Sequence, residues 1–452
     1  MWNCASWQKP ALGSAQAMDV EMNPAPQENV RYIHAADLHL DAPFQGISAE
    51  VGAMPHLGRL LREATFTALD RLASLCETER PHFVVLAGDI YNHENFSVKA
   101  QMSLRDKCEA LGRLGIPVFI AHGNHDPISS RFNSISWPDN VTIFDSSMQS
   151  RVLEKNGMPY AVVHGISHCN AREQRNLSTL FHRDPSHDCF QLGVLHCSLE
   201  GEGKSDRYAP ASLEDLRKSG LDAWALGHVH ERRVLCAHPF VAYSGNPQGL
   251  HINESGQRGC FLVSARKQGA GYVCEPVFHR LSPVIWQKVN LDVTGLENLD
   301  ELERQISNYL EEAAASSPPD CLAIIVRLTL TGRSVLDSAL RDRAAREDIL
   351  ERLRHFANAS PAIWIKDMLV ESRPPLDLPE LAMRADLVGE LARLISSLRA
   401  NPAQLREMIH ECGDELYSHP RLRRALSVPG DSDIARMLDN AEKLCLELLE
   451  NR

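Results

Sequence analysis

Seven residues with metal-binding oxygen or nitrogen atoms follow directly after apolar runs of the sequence. They are Asp37, His39, Asp89, Asn124, His196, His228 and His230. Asp37 and His39 are two residues apart, as are His228 and His230, so each pair can face the same way on an extended chain. A shell of nitrogen and oxygen ligands suits Mn²⁺, Fe²⁺ or Zn²⁺ better than a soft ion. We therefore predict that these seven residues bind divalent metal ions.

The chemistry of such a site depends on how close together two ions can be held. Two divalent ions ~3.5–4 Å apart can clamp the attacking and leaving oxygens of a phosphoryl transfer. An anionic bridge is needed to hold them so close, and Asp89 is our candidate for that carboxylate. The residue types therefore predict a two-metal hydrolase that acts on phosphoesters.

The elements that must position these side chains are five short apolar runs, each of the length of a buried strand. The runs are Val30–Ala36, Phe83–Ala87, Val118–Ala121, Leu192–Leu195 and Ala223–Leu226. In open α/β sheets, ligands collect beyond the carboxyl ends of strands, so five such ends can form one site. Gly88, Gly123 and Gly227 stand just before ligand positions, where a missing Cβ allows tight turns and close approach.

Helical patterns separate the first three runs, and this strand–helix–strand order predicts an α/β domain with largely covered sheets. Further along, Phe240–Tyr243, Cys260–Val263 and Tyr272–Val277 follow one another without helices. We expect these three runs to form an antiparallel group added to the α/β domain.

The order of apolar runs and helical segments changes near Pro283. Trp286–Val289, Leu322–Leu330 and Ile363–Val370 read as strands separated by helices, and a proline-rich segment and helical periodicity follow. We predict a disordered leader at 1–29, a catalytic domain at 30–280, a small α+β domain at 281–372 and a helical tail at 381–452.

The bulk composition restricts the class of protein. A chain of 452 residues is expected to form two or three domains. Its formal net charge of −12 differs from the basic surface of proteins that hold nucleic acid unaided. No apolar run approaches the ~20 residues of a membrane span, and the leader lacks the features of a secretory signal. The 12 scattered cysteines without a CxxC pair indicate reduced thiols in a cytoplasm.

Several segments resemble a known family. The segments are HAADLHLDAPF, AGDIYNHENF, AHGNHDP, VLHCSLEG and ALGHVHERRVL. They resemble the calcineurin-like metallophosphoesterases and, more closely, the SbcD-type DNA repair exonuclease family in its YhaO-like branch. The resemblance covers roughly residues 30–280 and implies an α/β/β/α sandwich of two stacked mixed sheets. The small domain that follows is similar to the capping domain of that family.

The resemblance also implies roles for residues of this chain. One metal would be held by Asp37, His39, Asp89 and His230, and the other by Asp89, Asn124, His196 and His228. His125 would stand near the scissile phosphate, and a metal-activated water would attack it. The family is manganese-dependent and pairs with an SMC-like ATPase with long coiled coils. DNA is then the expected substrate, and a homodimer is compatible with this assignment.

Two positions depart from the family pattern. Family nucleases often carry a histidine three residues after the bridging aspartate, where this chain has Asn92, and the histidine comes one residue later, at His93. We keep His93 as a second catalytic candidate beside His125. Leu250 stands where the family often has an arginine, which puts a phosphate contact there in doubt.

Other interpretations remain open at this point. His34, His122 and His164 read as structural histidines, and Asp126 as a residue that supports its neighbours by hydrogen bonding. Arg232 and Arg233 could contact phosphate or lie solvated on the surface. The same metal site could serve a small phosphoester or a cyclic nucleotide. A non-catalytic subunit that binds DNA ends is the third hypothesis, and the helical tail could dock a partner or pack on itself.

Overall fold

The structure is a computed structural model that describes most of the chain. The described residues are 29–47, 54–92, 97–130, 135–200, 208–375, 378–418 and 430–450. The predicted disordered leader, apart from Asn29, and the catalytic candidate His93 lie outside the described residues.

The first sheet has six strands. In order across the sheet they are β12 (Gly271–Arg280), β11 (Gly259–Gln268), β1 (Val30–Ala35), β2 (Phe83–Ala87), β3 (Val118–Ala121) and β4 (Val141–Ile143). Strands β1 to β4 run parallel, and β11 is antiparallel to both β1 and β12. The predicted ligand-bearing strands β1, β2 and β3 are therefore neighbours whose carboxyl ends share one edge.

The second sheet also has six strands. In order across the sheet they are β5 (Gln149–Lys155), β6 (Met158–Gly165), β7 (Phe190–His196), β8 (Ala223–Gly227), β10 (Phe240–Tyr243) and β9 (Arg233–Ala237). The four inner strands run parallel, whereas the outer strands β5 and β9 are antiparallel to their neighbours. The remaining ligand-bearing strands, β7 and β8, are adjacent here.

The predicted antiparallel group is confirmed for Cys260–Val263 and Tyr272–Val277 but is wrong for Phe240–Tyr243. β10 runs parallel to β8 inside the second sheet, whereas β11 and β12 form a hairpin on the edge of the first sheet. All four residues of β10 are buried, as expected for an interior strand of a parallel sheet. Sequence proximity does not reveal which of two sheets a short apolar run joins, and this caused the error.

Helices cover the outer face of the first sheet. α1 (Pro55–Glu79) follows β1, and α2 (Val98–Arg113) follows β2. Leu72 of α1 and Leu104 of α2 share a buried core with Leu86 of β2. This burial explains the helical spacing of apolar residues between the first three strands.

Local sequence sets where these helices begin and end. Pro55 occupies the start of α1, where the missing N–H and fixed φ of proline suit the first helical position. Ser97 caps α2, since its hydroxyl accepts a hydrogen bond from the Ala100 N–H at 3.1 Å. α1 ends at Glu79, and the next residue, Arg80, adopts a left-handed conformation with φ 49° that terminates the helix.

The two sheets pack face to face. Val85 and Phe119 of the first sheet share a buried core with Phe190 and Val194 of the second. On the other face of the second sheet, α3 (Leu213–Lys218) contributes to a further core. The layers are therefore helices, sheet, sheet and helix, and the predicted α/β/β/α sandwich is confirmed.

The third sheet and the tail are built from later residues. The strands are β13 (Val284–Asp292), β14 (Ala323–Thr331) and β15 (Ala362–Val370). α4 (Leu299–Ser316) follows β13, and α5 (Asp337–Arg341), α6 (Arg343–Leu353) and a 3₁₀ turn (Arg354–Asn358) follow β14. The tail helices are α7 (Leu378–Ala382), α8 (Leu387–Ala400), α9 (Pro402–Ser418) and α10 (Asp431–Glu450).

The chain forms two compact units. One comprises the described residues within Met1–Lys288, Leu310–Arg327 and Arg354–Lys366, and the other those within Val289–Tyr309, Leu328–Leu353 and Asp367–Arg452. The first unit contains both six-stranded sheets and all seven candidate ligands. In the second unit, Leu398, Leu405, Ile434 and Leu438 form a core among the tail helices. The predicted domain limits at residues 280 and 372 stay predictions.

Among the described residues, no helix is both long enough and apolar enough to pass through a membrane.

Candidate metal centre

Several candidate ligands have an unusual backbone conformation. φ is 53° at Asp37, 42° at His39, 49° at Asp89 and 101° at His228. Residues other than glycine rarely have positive φ, and they cluster where function requires a particular side-chain direction. The conformation is held by the backbone, because the N–H of Asp37 donates to the Gly88 carbonyl at 2.9 Å and the N–H of His39 donates to the Asp89 carbonyl at 3.0 Å. The ends of β1 and β2 are thereby fixed to each other.

A first cluster of ligand atoms forms around His39 and His230. Their Nε2 atoms lie 3.2 Å apart. Oδ1 of Asp37 is 3.9 Å from Nε2 of His230, and Oδ2 of Asp89 is 4.0 Å from Nε2 of His39. These four side chains come from the ends of β1 and β2 and from the segment after β8. Their spacing leaves room for one cation between two imidazole nitrogens and two carboxylates.

A second cluster forms around His196 at the end of β7. Its Nε2 lies 3.0 Å from Oδ1 of Asn124 and 3.3 Å from Oδ2 of Asp89. Its Nδ1 lies 3.0 Å from the carbonyl oxygen of Ala87, to which it donates a hydrogen bond. The ring is fully buried. A second cation would therefore meet one nitrogen and two oxygens that already face each other.

Asp89 lies between the two clusters. The same oxygen, Oδ2, faces His196 of one cluster and His39 of the other. The other oxygen, Oδ1, accepts a hydrogen bond of 2.8 Å from the backbone N–H of His125. This is the position that a bridging carboxylate requires.

Asp37 contacts more groups than the sequence indicated. Its Oδ1 is also 4.0 Å from Nδ1 of His196, in the second cluster. Both of its oxygens accept hydrogen bonds from the backbone N–H of His228, at 3.0 and 3.1 Å. The ring of His228 packs against that of His196, with centroids 5.3 Å apart. All seven predicted ligands are thus brought together, and their division between two ions stays a prediction.

His125 lies at the mouth of the clusters. Its ring centroid is 5.1 Å from that of His39. Its Nδ1 is 3.2 Å from Oδ1 of Asn92, the residue that stands where the family pattern has a histidine. Asn92 therefore fixes the orientation of the His125 ring. The catalytic role of His125 stays a prediction.

Charge is concentrated in this buried space. Burial alone would lower the pKa of His196, but the charge and hydrogen bond of Asp89, together with Asp37, raise it to about 9. Burial opposes ionisation of Asp89, but the adjacent His196 outweighs this and holds the Asp89 pKa well below its usual value. Burial, and then the charge of His230, lower the pKa of His39 to about 3. Both clusters set imidazole nitrogens opposite carboxylate or amide oxygens, which is a donor set for divalent cations, so the residues fit two such ions.

A carboxylate that the sequence analysis missed lies behind His230. Glu254 accepts a short hydrogen bond from Nδ1 of His230 and is itself buried. It lies 24 residues along the chain in a turn between β10 and β11, where local sequence gives no sign of a partner. Asp126 has the supporting role expected of it, because it accepts hydrogen bonds of 2.8 Å from the N–H groups of Ile90 and Gly123.

Three glycines make room for these groups. A Cβ at Gly123 would strike Oδ1 of Asp89, a Cβ at Gly88 would strike the ring of His196, and a Cβ at Gly227 would strike the carbonyl oxygen of Ala87. Only Gly88 also needs a positive φ, of 90°. The predicted tight turn therefore applies at Gly88, whereas Gly123 and Gly227 allow close approach.

Comparison with known protein families gives matches over two regions of the chain. A family model described as calcineurin-like phosphoesterase matches residues 30–232, and one described as metallophosphoesterase YhaO, middle domain, matches residues 286–373. The uncharacterized metallophosphoesterase YhaO of Bacillus subtilis (strain 168) is 36% identical over 303 residues, which cover 67% of this chain and 72% of that protein.

Solved structures with some similarity include two that match almost along their whole length. TT1561 of Thermus thermophilus is 10% identical, covers 55% of this chain and 99% of its own, and has a TM-score of 0.31. A dimetal phosphatase from Danio rerio is 12% identical, covers 56% of this chain and 99% of its own, and also has a TM-score of 0.31.

The identity to the Bacillus protein extends over more than two thirds of that protein, and the catalytic family model spans every one of the seven candidate ligands. The chain belongs to the calcineurin-like metallophosphoesterases, a family of divalent-metal hydrolases, with YhaO as a relative.

Proposed function

We propose that this protein is a two-metal phosphodiesterase that cuts DNA in repair or end processing. The observation that supports hydrolysis of a phosphoester is the position of Asp89. Its carboxylate faces His39 on one side and His196 on the other, within a buried space that also holds Asp37. A pair of ions bridged in this way is suited to the in-line displacement of a phosphoester.

The seven ligands would be shared between two ions. Asp37, His39, Asp89 and His230 would hold one ion, and Asp89, Asn124, His196 and His228 the other. When bound, the ions supply a nucleophile at neutral pH and neutralise charge on the phosphoryl oxygens. Mn²⁺ is our choice among Mn²⁺, Fe²⁺ and Zn²⁺, since the ligands are nitrogen and oxygen atoms.

His125 would hold the proton that the leaving oxygen needs. Its Nδ1 faces Oδ1 of Asn92 and donates to it, so Nε2 of the protonated ring is the nitrogen free to give a proton away. Its backbone N–H simultaneously orients Asp89. One residue therefore couples the leaving group to the bridging carboxylate.

A cavity beside His230 supports a substrate larger than a small phosphoester. It has a volume of about 600 Å³ and is lined in part by Asn246, Arg232 and Phe278. The guanidinium of Arg232 stacks on the Phe278 ring at 3.6 Å and is exposed, so it can reach a phosphate. A planar cation on an aromatic ring is also a surface on which bases stack in single-stranded nucleic acids. The sequence resemblance to DNA repair exonucleases is the second support.

We propose that the protein binds DNA together with a partner protein. A net charge of −12 is unfavourable for tight unaided binding of DNA, so we propose that an SMC-like coiled-coil ATPase supplies much of the grip. Its docking region would be the tail helices α8 to α10. We also propose a cytoplasmic location, because the cysteines in the described part of the chain carry free thiols. A homodimer would place two metal centres on one assembly.

The proposal is tested by comparing single-stranded DNA with a nitrophenyl phosphate as substrates, with and without Mn²⁺. We expect Mn²⁺-dependent cutting of DNA at rates well above turnover of the small ester. We expect His125→Ala to lose cutting by about 10²- to 10⁴-fold, the usual contribution of general acid catalysis, with normal metal content. Cleavage of the small ester alone would refute the nuclease proposal. A metal-loaded protein that binds DNA ends without cutting them would favour a non-catalytic role.

A further inference from the structure

Glu254 is a buried carboxylate whose two oxygens are both used. It is 5% exposed. Oε1 accepts from Nδ1 of His230 and lies 3.2 Å from Nε2 of His251. Oε2 accepts from the backbone N–H of Leu250 at 2.6 Å and from Nδ2 of Asn246 at 3.0 Å. A carboxylate held by this many donors has one orientation, and so does any ring attached to it.

The contact determines which nitrogen of His230 carries hydrogen. An ionised carboxylate only accepts hydrogen bonds, so Nδ1 of His230 must be the protonated nitrogen of the neutral ring. Nε2 then presents its lone pair, and it points to Nε2 of His39 at 3.2 Å and to Oδ1 of Asp37 at 3.9 Å. This is the tautomer that a metal ligand requires.

Arg258 forms hydrogen bonds to the backbone at both Glu254 and His230. Its Nη1 donates to the backbone carbonyl of His230 and lies 3.3 Å from Oδ1 of Asn246, while its Nε donates to the carbonyl of Glu254 at 3.2 Å. The turn that carries Glu254 is therefore attached to the segment that carries His230. Movement of one would displace the other.

The ring of His196 in the second cluster is oriented by a backbone group and not by a side chain. Its Nδ1 donates to the backbone carbonyl of Ala87, a partner that no side-chain substitution removes. His230 instead depends on a side chain. The two clusters should therefore respond differently to a change at Glu254.

We propose that Glu254 is a positioning residue that sets the tautomer and ring orientation of His230 and thereby the affinity of the first metal cluster. A carboxylate that receives the second N–H of a ligating histidine typically changes metal affinity about 10- to 100-fold. The inference rests on the two-metal site of the proposed function, but it does not depend on DNA as the substrate.

The test is a titration of metal-free protein with Mn²⁺ alone, in which the signal of free Mn²⁺ is followed by electron paramagnetic resonance. We compare wild type with Glu254→Gln. The amide cannot accept at all four contacts, because its NH₂ must face either Nδ1 of His230 or the two donors at Oε2. We expect one of two binding steps to weaken about 10- to 100-fold, with the other unchanged. The melting temperature of the metal-free variant should stay near that of wild type.

A matched control is Glu109→Gln, which alters an exposed carboxylate of α2 paired with Arg113. Both Mn²⁺ steps should then be as in wild type. If Glu254→Gln fails to fold, Glu254→Asp keeps the charge but withdraws it from His230, and the same single step should weaken.

The results separate the possible failures. Unchanged Mn²⁺ binding in the folded Glu254 variants overturns the inference, and so does equal weakening of both steps with a lower melting temperature, which would mean a structural role. If wild type itself binds no Mn²⁺, the metal centre of the proposed function fails. If wild type binds two ions and only DNA cutting is absent, the proposed substrate fails and the inference on Glu254 stands.

Discussion

The Nε2 atoms of His39 and His230 lie 3.2 Å apart although 191 residues of chain separate them. On its other side, Nδ1 of His230 donates to the buried carboxylate of Glu254, so Nε2 is the nitrogen that faces the first cluster. Nε2 of His196 likewise faces the oxygens of Asn124 and Asp89. In each place nitrogen and oxygen atoms from distant parts of the chain face one another at distances that suit ligands of one divalent cation.

Asp89→Asn should remove both ions. The substitution keeps the shape of the side chain but deletes the negative charge that faces His39 and His196. We expect loss of bound Mn²⁺ after desalting, measured by elemental analysis, and at least a ~100-fold fall in phosphoester hydrolysis, since a bridging ligand should matter more than a supporting one. Asp106→Asn, on the exposed face of α2, is the control and should keep both metal and activity. Retention of two ions by Asp89→Asn would show that Asp89 is not the bridge.

Asn92→Ala should act only through His125. Loss of the 3.2 Å contact frees the ring, and misplacement of a catalytic group costs up to ~100-fold in rate. We expect kcat to fall about 10- to 100-fold with unchanged metal content. In a His125→Ala background, Asn92→Ala should add less than about twofold, because the two effects share one interaction. Additive losses in the double variant would contradict this link.

The metal-free protein should lose stability as pH rises above neutrality. The pKa of His196 is about 9 in the folded protein, against its usual 6.5, so its stabilising contribution is complete below about pH 6.5 and is lost as pH rises through 9. The carboxyl of Asp37, which burial raises to a pKa of about 6, changes charge below this range. Melting temperatures measured from about pH 6.5 to 9 should therefore fall.

Mn²⁺ should counteract that fall. Metal binding displaces the His196 proton, so affinity increases with pH and the gap between loaded and metal-free melting temperatures should widen. The decline of the metal-free protein should be smaller in Asp89→Asn, which lacks the charge that raises the His196 pKa. A melting temperature that rises steadily to about pH 9 without metal would contradict the assignment.

Arg232→Ala should affect DNA but not a small ester. The Arg232 guanidinium is exposed over the ring of Phe278 and lines the cavity beside His230. If it contacts phosphate, its removal should weaken DNA binding evenly across sequences and lower the salt slope by about 1. Turnover of a nitrophenyl phosphate should stay at the wild-type level. An unchanged salt slope would exclude Arg232 from the DNA path.

The sequence predicts the sandwich well because its interior strands are apolar on both faces and its ligands stand at their ends. Strands at the edge of a sheet are harder to recognise from their sequence. β5 is mostly exposed and β9 partly so, and neither was predicted, because polar residues on an edge resemble a loop. The placement of β10 in the second sheet depends on pairing with β8, which no local pattern encodes.

The metal centre, like the fold, is only partly predictable from the sequence. Asp37, His39, His228 and His230 could be selected from their spacing alone. The contact of Asp37 with His196, and the role of Asn92 beside His125, depend on which strand ends are neighbours. Glu254 could be found only from the folded chain, because its partner lies in another turn. Supporting residues are therefore the part of a metal centre that a single sequence conceals most.

Anomalous X-ray scattering from crystals grown with Mn²⁺ tests the two-metal centre most directly. We expect two peaks about 3.5–4 Å apart, one beside His39 and His230 and one beside Asn124 and His196, with the Asp89 carboxylate in contact with both. A single peak, or peaks away from Asp89, would contradict the bridged pair on which the proposed function depends.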